Sequence, residues 1–318
     1  MLFYLALYLI KMSSAEREKV SSGCGKVKLT CETDEMIVVK QAAFIPRGDC
    51  SKIDMDEPRS NNQDIWRAIV KTCNGVREGK CIFDLGVNLP GSERWGIGRT
   101  DVRYSCVGSV NSYCGGRVDE GRTGYIASPG YPRYYLGGRE CIWNLVVEKG
   151  QTIKIQVKDL DLREAQETCE DSVMVKEERR TLLTACGVLL SPMSVVSETG
   201  RVEIHMRTGA SKQQLYAKRG LLLQYAVLGC PDPTAIAEGT VSRLNSTQVL
   251  LQCTPDHLFV STLNPRVILN CDSDTLTWNP AVEHCVSLQW LLQYSNSSTV
   301  KRLSANYMKL KQKQRSGN

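Results

Sequence analysis

Fourteen cysteines, falling in groups of six, four and four along 318 residues, constrain this chain more than any other feature. Their spacing lacks the paired C-x-x-C or H-x-x-x-H arrangements of a zinc site, so the sulfurs read as disulfides made in an oxidising compartment. A chain of this length, divided as its cysteines divide it, predicts two or three domains, none of them large. The N-terminus agrees with export: Leu2 to Ile10 is an unbroken apolar run, followed by small residues at Ser13 and Ala15, which reads as a signal peptide over 1–15. No positive residue precedes Leu2, and a misassigned start is the alternative reading. The run is far shorter than the ~20 residues of a membrane span, and no later stretch is apolar enough to be one.

The most specific motif lies at Cys114 to Pro132, CGGRVDEGRTGYIASPGYP. Gly130 can supply a positive φ while Pro129 and Pro132 fix φ on either side, which makes a rigid corner. Cys141, Trp143 in CIWNLVV, then IKIQV, and Cys169 and Cys186 in CEDSVMV and LLTACG follow as alternating apolar strands between turns. These features resemble a CUB domain, an extracellular, jelly-roll-like β-sandwich, over 114–228. The resemblance implies bridges Cys114–Cys141 and Cys169–Cys186. It also implies, for many members, a calcium ion held by acidic residues near the second pair, here Glu164, Glu167 and Asp171, with Glu164 and Asp171 as the metal candidates. Where a further aspartate is expected after VEIHM, Arg207, Thr208 and Gly209 stand, and a cation there would be repelled by Arg207. In the other reading Glu164, Glu167 and Glu170 are a solvated acidic rim and no cofactor is bound.

Ahead of this stretch, the six cysteines from Cys24 to Cys106 enclose a different pattern. Met36 to Val39 reads as an alternating strand, and Ile65, Trp66, Ile69, Val70 and Cys73 recur at helical spacing over 61–73, predicting an amphipathic helix against a sheet. Asn61 or Asn62 is the expected N-cap, and Asp64 in the first turn suits the helix dipole. The cysteine order, TCNGVREGKC after the helix and the ending DVRYSC resemble a galactose- or rhamnose-binding lectin domain of the sea-urchin-egg-lectin (SUEL) type, an α+β module over 24–107. The resemblance implies Cys24–Cys50, Cys31–Cys106 and Cys73–Cys81, the family's fourth and seventh cysteines, themselves a bonded pair, being missing together. The positions that contact sugar in that family have changed: the glutamate after the first cysteine is Gly25, the Tyr-Gly-Arg motif is Phe44-Ile45-Pro46-Arg47, and the remaining points fall near Gly91 to Arg94 and Gly98 to Thr100. Arg47 alone keeps its identity as a sugar-binding candidate. Losing several hydrogen bonds of about 1 kcal/mol each is enough to abolish a weak monosaccharide contact, so a protein-binding or structural role is expected ahead of a carbohydrate one.

Cys230 to Cys285 carries four cysteines, Pro231 beside the first, a VLLQC strand and Trp278 shortly before the last. It resembles a sushi (complement control protein) module over 229–286, a small disulfide-rich β unit, which implies Cys230–Cys271 and Cys253–Cys285. A unit this small depends on such bridges, at about 2–4 kcal/mol each, and Trp278 is expected in its core. Asn245 and Asn296 open N-x-S/T sequons, Asn245 lying between expected strands. The segment 287–318 has six basic residues and no acidic one, so the net charge of +6 belongs to this tail and the folded body is neutral. A neutral body argues against a nucleic-acid surface. The tail reads as disordered, or as an attachment to heparan-type glycans or anionic lipid surfaces.

The expected architecture is therefore mainly β and multidomain. There are three histidines, His205, His257 and His284, and no G-x-S-x-G, H-E-x-x-H, phosphate-loop or dinucleotide motif. The three modules leave no room for a catalytic domain. The chain reads as a non-enzymatic extracellular protein, secreted or a soluble form of a membrane-anchored one, that binds extracellular or cell-surface proteins. A carbohydrate-binding lectin is the alternative, and a regulator of extracellular proteases or complement-like cascades the third reading.

Overall fold

The computed structural model describes residues 16–49, 63–77, 79–118, 121–163, 169–209 and 214–294. These form two compact units, one of the chain up to Val146 with Ile153–Val227, the other of Val147–Thr152 with the chain from Leu228 onward. The expected signal peptide, Cys50, the caps Asn61 and Asn62, Glu164, Glu167 and Asn296 lie outside the described residues.

The first unit opens with β1 (Arg17–Cys24), β2 (Lys26–Thr30), β3 (Met36–Pro46), helix α1 (Gln63–Cys73), β4 (Lys80–Asp84), helix α2 (Leu85–Asn88), a 3-10 turn at Ser92–Trp95, and β5 (Gly98–Val107). Strands β1, β5 and β3 form an antiparallel sheet, and β2 pairs with β4. Helix α1 buries Ile65, Trp66, Ile69, Val70 and Cys73, one face of a 3.6-residue period, and carries Asp64 in its first turn. This is an α+β arrangement.

The expected alternation at Met36 to Val39 is absent, because all four residues are buried. One face of a strand normally meets solvent, but here Met36 and Val38 share a hydrophobic cluster with Tyr125, Ala127 and Leu222, residues from the part of the chain that follows.

That part contains β6 (Gly116–Val118), β7 (Thr123–Ala127), β8 (Tyr135–Leu136), β9 (Glu140–Val146), β10 (Thr152–Asp161), β11 (Ser172–Glu177), β12 (Arg180–Ala185), β13 (Met193–Val196), β14 (Arg201–Arg207), β15 (Leu215–Tyr216) and β16 (Gly220–Leu228). They build a four-stranded sheet, β13-β10-β16-β7, and a five-stranded one, β12-β11-β14-β9-β6, with β8 and β15 as a separate pair. Strict alternation on β9 and β10 sends Trp143, Leu145, Ile153 and Ile155 into the core. Between β5 and β6, Asn111 bridges Ile126 in parallel.

The second unit has β17 (Gly239–Asn245), β18 (Gln248–Cys253), β19 (His257–Phe259), β20 (Arg266–Asp272), β21 (Thr277–Asn279), β22 (Cys285–Ser287) and helix α3 (Leu288–Tyr294). The sheet order is β17-β18-β20-β21, with β19 paired to β22. Val249, Leu251, Phe259, Leu269 and two half-cystines make the core, with Trp278 packed against it and its indole N–H donating to the Pro231 carbonyl at 2.8 Å. The tail expected from 287 onward begins differently: residues 288–294 are helical, Leu288 and Leu291 are buried, and the Leu288 N–H donates to the Asp256 carbonyl at 2.8 Å. The apolar cluster Leu288 to Leu292 gives this turn something to bury.

Six bridges join Cys31–Cys106, Cys73–Cys81, Cys114–Cys141, Cys169–Cys186, Cys230–Cys271 and Cys253–Cys285. Cys24 is also disulfide-bonded.

Candidate recognition site in the first unit

The Ser128–Pro132 corner does more than turn the chain. Gly75, just beyond α1, has a φ of +82°, and a Cβ built there would lie 2.7 Å from the Pro132 ring and 2.8 Å from the Tyr131 ring. Only glycine permits both that backbone and that approach. The α+β module and the sandwich therefore meet backbone to ring.

A buried polar cluster completes the seam. Arg219 donates from Nη2 to Asp159 Oδ2 at 2.6 Å, to the Asn74 carbonyl at 2.8 Å and to the Tyr131 hydroxyl at 3.2 Å, and from Nη1 to the Lys71 carbonyl at 2.9 Å. Those two carbonyls end helix α1, whose last carbonyls have no partner within the helix. The guanidinium thus caps the helix of one module while neutralising an aspartate of the other. Tyr131 donates to Asp159 Oδ2 at 2.7 Å. Burial pushes the Asp159 carboxyl above its ordinary value against the pull of Arg219, and burial beside Asp159 pushes the Tyr131 hydroxyl well up. Asn74, fully buried, accepts the Val39 N–H at 2.7 Å. Nearby, Lys40 pairs with Glu16, and the Tyr125 hydroxyl donates to Glu16 at 2.8 Å.

The residues expected from the lectin resemblance to contact sugar are partly brought together. Strand pairing sets Phe44, Ile45 and Pro46 beside Thr100, Arg99 and Gly98. Their polar groups face inward, however: Arg99 is buried, bound to Asp101 and to the Asp49 carbonyl at 2.9 Å. A Cβ on Gly98 would meet the Phe44 ring at 2.4 Å, so no side chain can project there. Arg47 is exposed, with a φ of 56°.

Asp171 is buried, and its oxygens are already taken. Oδ1 accepts the Gly209 N–H at 2.6 Å and Arg163 Nη2 at 3.2 Å, while Oδ2 accepts Arg163 Nε at 3.3 Å and the Tyr135 hydroxyl. Burial works to raise this carboxyl, but the Gly209 N–H, Tyr135 and Arg163 outweigh it and hold it below the ordinary carboxylate range. Glu170, expected on a solvated rim, pairs with the same guanidinium at 2.8 Å. Arg163, not Arg207, is the cation that sets this site among the described residues, and a guanidinium on Asp171 does not fit a calcium ion held by the same atoms. Sequence reading passed over Arg163 because nothing in the chain order places it against Asp171, eight residues on. Cys31, Glu35 and Cys106 also lie together, but those two sulfurs are bonded to each other and offer no thiolate.

Asn245 is exposed at the turn between β17 and β18, and its Oδ1 accepts the Thr247 N–H at 2.9 Å and the Thr247 hydroxyl at 3.0 Å. Each histidine is engaged within its module: His205 contacts Glu140 at 3.3 Å and Glu203 at 3.0 Å, His257 contacts Thr254 at 3.2 Å, and His284 accepts the Ala237 N–H at 3.1 Å. No helix among the described residues is long and apolar enough to cross a membrane.

Comparison with known proteins matches residues 114–218 to the CUB domain family model. Over 118 residues the chain is 34% identical to procollagen C-endopeptidase enhancer 1 of Homo sapiens, covering 36% of this chain and 25% of that protein. Over 136 residues it is 29% identical to the cubilin homolog of Drosophila melanogaster, covering 42% of this chain and 4% of that protein. The crystal structure of the MASP-1 CUB2 domain bound to Ca2+ aligns at 27% identity over 36% of this chain and 99% of that one, with a TM-score of 0.32. The chain spans a quarter or less of the length of the two curated relatives. With 114–218 matched and 114–228 folded as a four-on-five-stranded sandwich carrying two bridges, this is an extracellular, multidomain, mostly β chain that contains a CUB domain.

Proposed function

We propose that the chain is a non-enzymatic recognition mosaic that binds proteins at cell surfaces or in the matrix, with a SUEL-lectin-like module over 24–107, the CUB domain over 114–228 and a sushi-like module over 229–286. The CUB match over 114–218 supports the extracellular binding role. The observation that favours a protein over a hexose as ligand is Arg99: the polar group nearest the family's sugar-contacting positions is buried on Asp101 and cannot turn outward without leaving that carboxylate uncompensated. On the Phe44–Arg47 and Gly98–Thr100 strands the exposed charge is Arg47, while Glu93 and Arg94 are the exposed charges of the 91–94 turn.

A hexose-binding lectin of the galactose or rhamnose type is the second reading, carried by the resemblance of 24–107. Regulation of an extracellular protease is the third, supported only by the company these modules keep and by the name of the procollagen C-endopeptidase enhancer. The test is to secrete residues 16–318, glycosylated, and pass them over a library of cell-surface ectodomains, a glycan array and a protease panel. Saturable binding to an ectodomain that survives free galactose and rhamnose supports the proposal. Glycan binding displaced by those sugars supports the lectin, and altered protease turnover supports the regulator.

A further inference from the structure

Between β3 and helix α1 the chain reads Pro46-Arg47-Gly48-Asp49. A guanidinium and a carboxylate thus stand on either side of one glycine. A tripeptide recurs by chance, so its structural context decides whether a partner can read it.

That context is an exposed turn held in place. Strand β3 ends at Pro46, and Arg47 takes a φ of 56°, a left-handed conformation that costs a residue with a side chain about 1–2 kcal/mol. Three hydrogen bonds to its backbone hold the turn: the Arg47 N–H donates to the Ile97 carbonyl at 2.9 Å, the Gly48 N–H donates to the Ile45 carbonyl at 3.1 Å, and the Asp49 carbonyl accepts Arg99 Nη1 at 2.9 Å. Arg99 is itself buried and paired with Asp101 at 3.0 Å, so the last anchor belongs to the core. A Cβ on Gly48 would stand 3.0 Å from the Arg99 Cβ and 3.1 Å from the Ile45 carbonyl oxygen, which keeps the middle of the turn bare. The main chain is pinned inward, while the Arg47 and Asp49 residues on either side are exposed. Backbone strain of this kind persists where the surroundings impose it, and it collects at binding sites.

The turn offers two kinds of contact at once. A carboxylate is a hard oxygen ligand for a divalent cation with an open coordination position, and a guanidinium forks onto a carboxylate. Both groups sit on a backbone span of at most ~7 Å, and because that span is already fixed, docking on it costs little further ordering.

We propose that Arg47-Gly48-Asp49 docks a cell-surface adhesion receptor of the integrin type: a divalent cation held by the receptor takes the Asp49 carboxylate, and a receptor carboxylate takes the Arg47 guanidinium. This rests on the reading of the chain as a protein-recognition mosaic and gives the protein partner its chemistry. Arg47 then serves a protein contact and not a hexose.

The test is solid-phase binding of a panel of integrin ectodomains, in millimolar magnesium, to the immobilised full secreted chain. Saturable binding is expected, abolished by a chelator and by the soluble peptide Gly-Arg-Gly-Asp-Ser, and unaffected by Gly-Arg-Gly-Glu-Ser. Asp49→Glu, which keeps the charge and the backbone carbonyl but lengthens the side chain by one methylene, should weaken binding about tenfold or more, as should Arg47→Ala, the scale for loss of a charge-assisted contact. Both residues are exposed, so the melting temperature should stay at the wild-type value. Absence of binding across the panel, binding that persists in chelator or with the Arg-Gly-Asp peptide, or binding unmoved by both substitutions would each overturn the assignment while leaving protein recognition standing. Failure to bind any member of the wider ectodomain library would remove both.

Discussion

Arg219 and Asp159, both on the sandwich side of the first unit, form a 2.6 Å ion pair, and the same guanidinium closes the C-terminal turn of helix α1 through the Lys71 and Asn74 carbonyls. One side chain therefore serves the cores of two modules. Removing it would strand a buried carboxylate and two helix-end carbonyls together. Arg219→Ala should cost about 3–5 kcal/mol, the range for breaking a buried pair on one side, and Arg219→Lys should recover little because an ammonium cannot reach all these acceptors. Denaturant unfolding followed by near-UV and far-UV signals checks this: the wild-type first unit should unfold as one transition, and the variant at lower denaturant.

At Gly75 the prediction concerns backbone and contact together. Gly75→Ala should destabilise by about 1–2 kcal/mol from the left-handed backbone alone, with a further loss from the Tyr131 and Pro132 rings that a Cβ would strike. The control is Gly25→Ala, also at positive φ but with nothing within 4 Å, which should show only the backbone cost.

Calcium and pH both test the Asp171 site. Because Arg163 already neutralises Asp171, adding millimolar calcium or a chelator should leave the melting temperature unchanged, while Arg163→Ala should lower it. Since the Asp171 carboxyl is held below its unfolded value, its stabilising contribution is present above the unfolded pKa of about 3.9 and is lost as pH falls through the lower folded value. Asp171→Asn should accordingly flatten the acid limb of the stability curve. A calcium-dependent rise in melting temperature would contradict the assignment of Arg163 as the site's cation.

Asn245 should carry an N-glycan in the secreted chain, since its sequon sits at an exposed turn with the Thr247 hydroxyl already bonded to the asparagine side chain. Thr247→Ala should remove the mass increment that an amidase releases from the wild type.

The sandwich was readable because its signals are local: the Pro-Gly-Tyr-Pro corner, the cysteine spacing and the alternation around Trp143 each act within a few residues. Helix α1 was readable for the same reason, from the period of Ile65 to Cys73. The seam was not. Met36 and Val38 pack on Tyr125 and Leu222, and Arg219 reaches Asn74 across 145 positions. No local pattern marks a strand whose outward face is covered by another module, and the run of four apolar residues at Met36 to Val39 was the one available hint. Arg163 is not legible for the same reason: carboxylates near a cysteine pair point to a metal, while the charge that compensates Asp171 is an arginine.

The proposed function requires that the chain recognise a protein and not a neutral hexose. The most direct measurement is binding of the secreted 16–318 chain to cells displaying individual ectodomains, with and without excess free galactose and rhamnose. Saturable binding to at least one ectodomain is expected, unchanged by either sugar. Binding abolished by either sugar, with the same loss on Arg47→Ala, would contradict it.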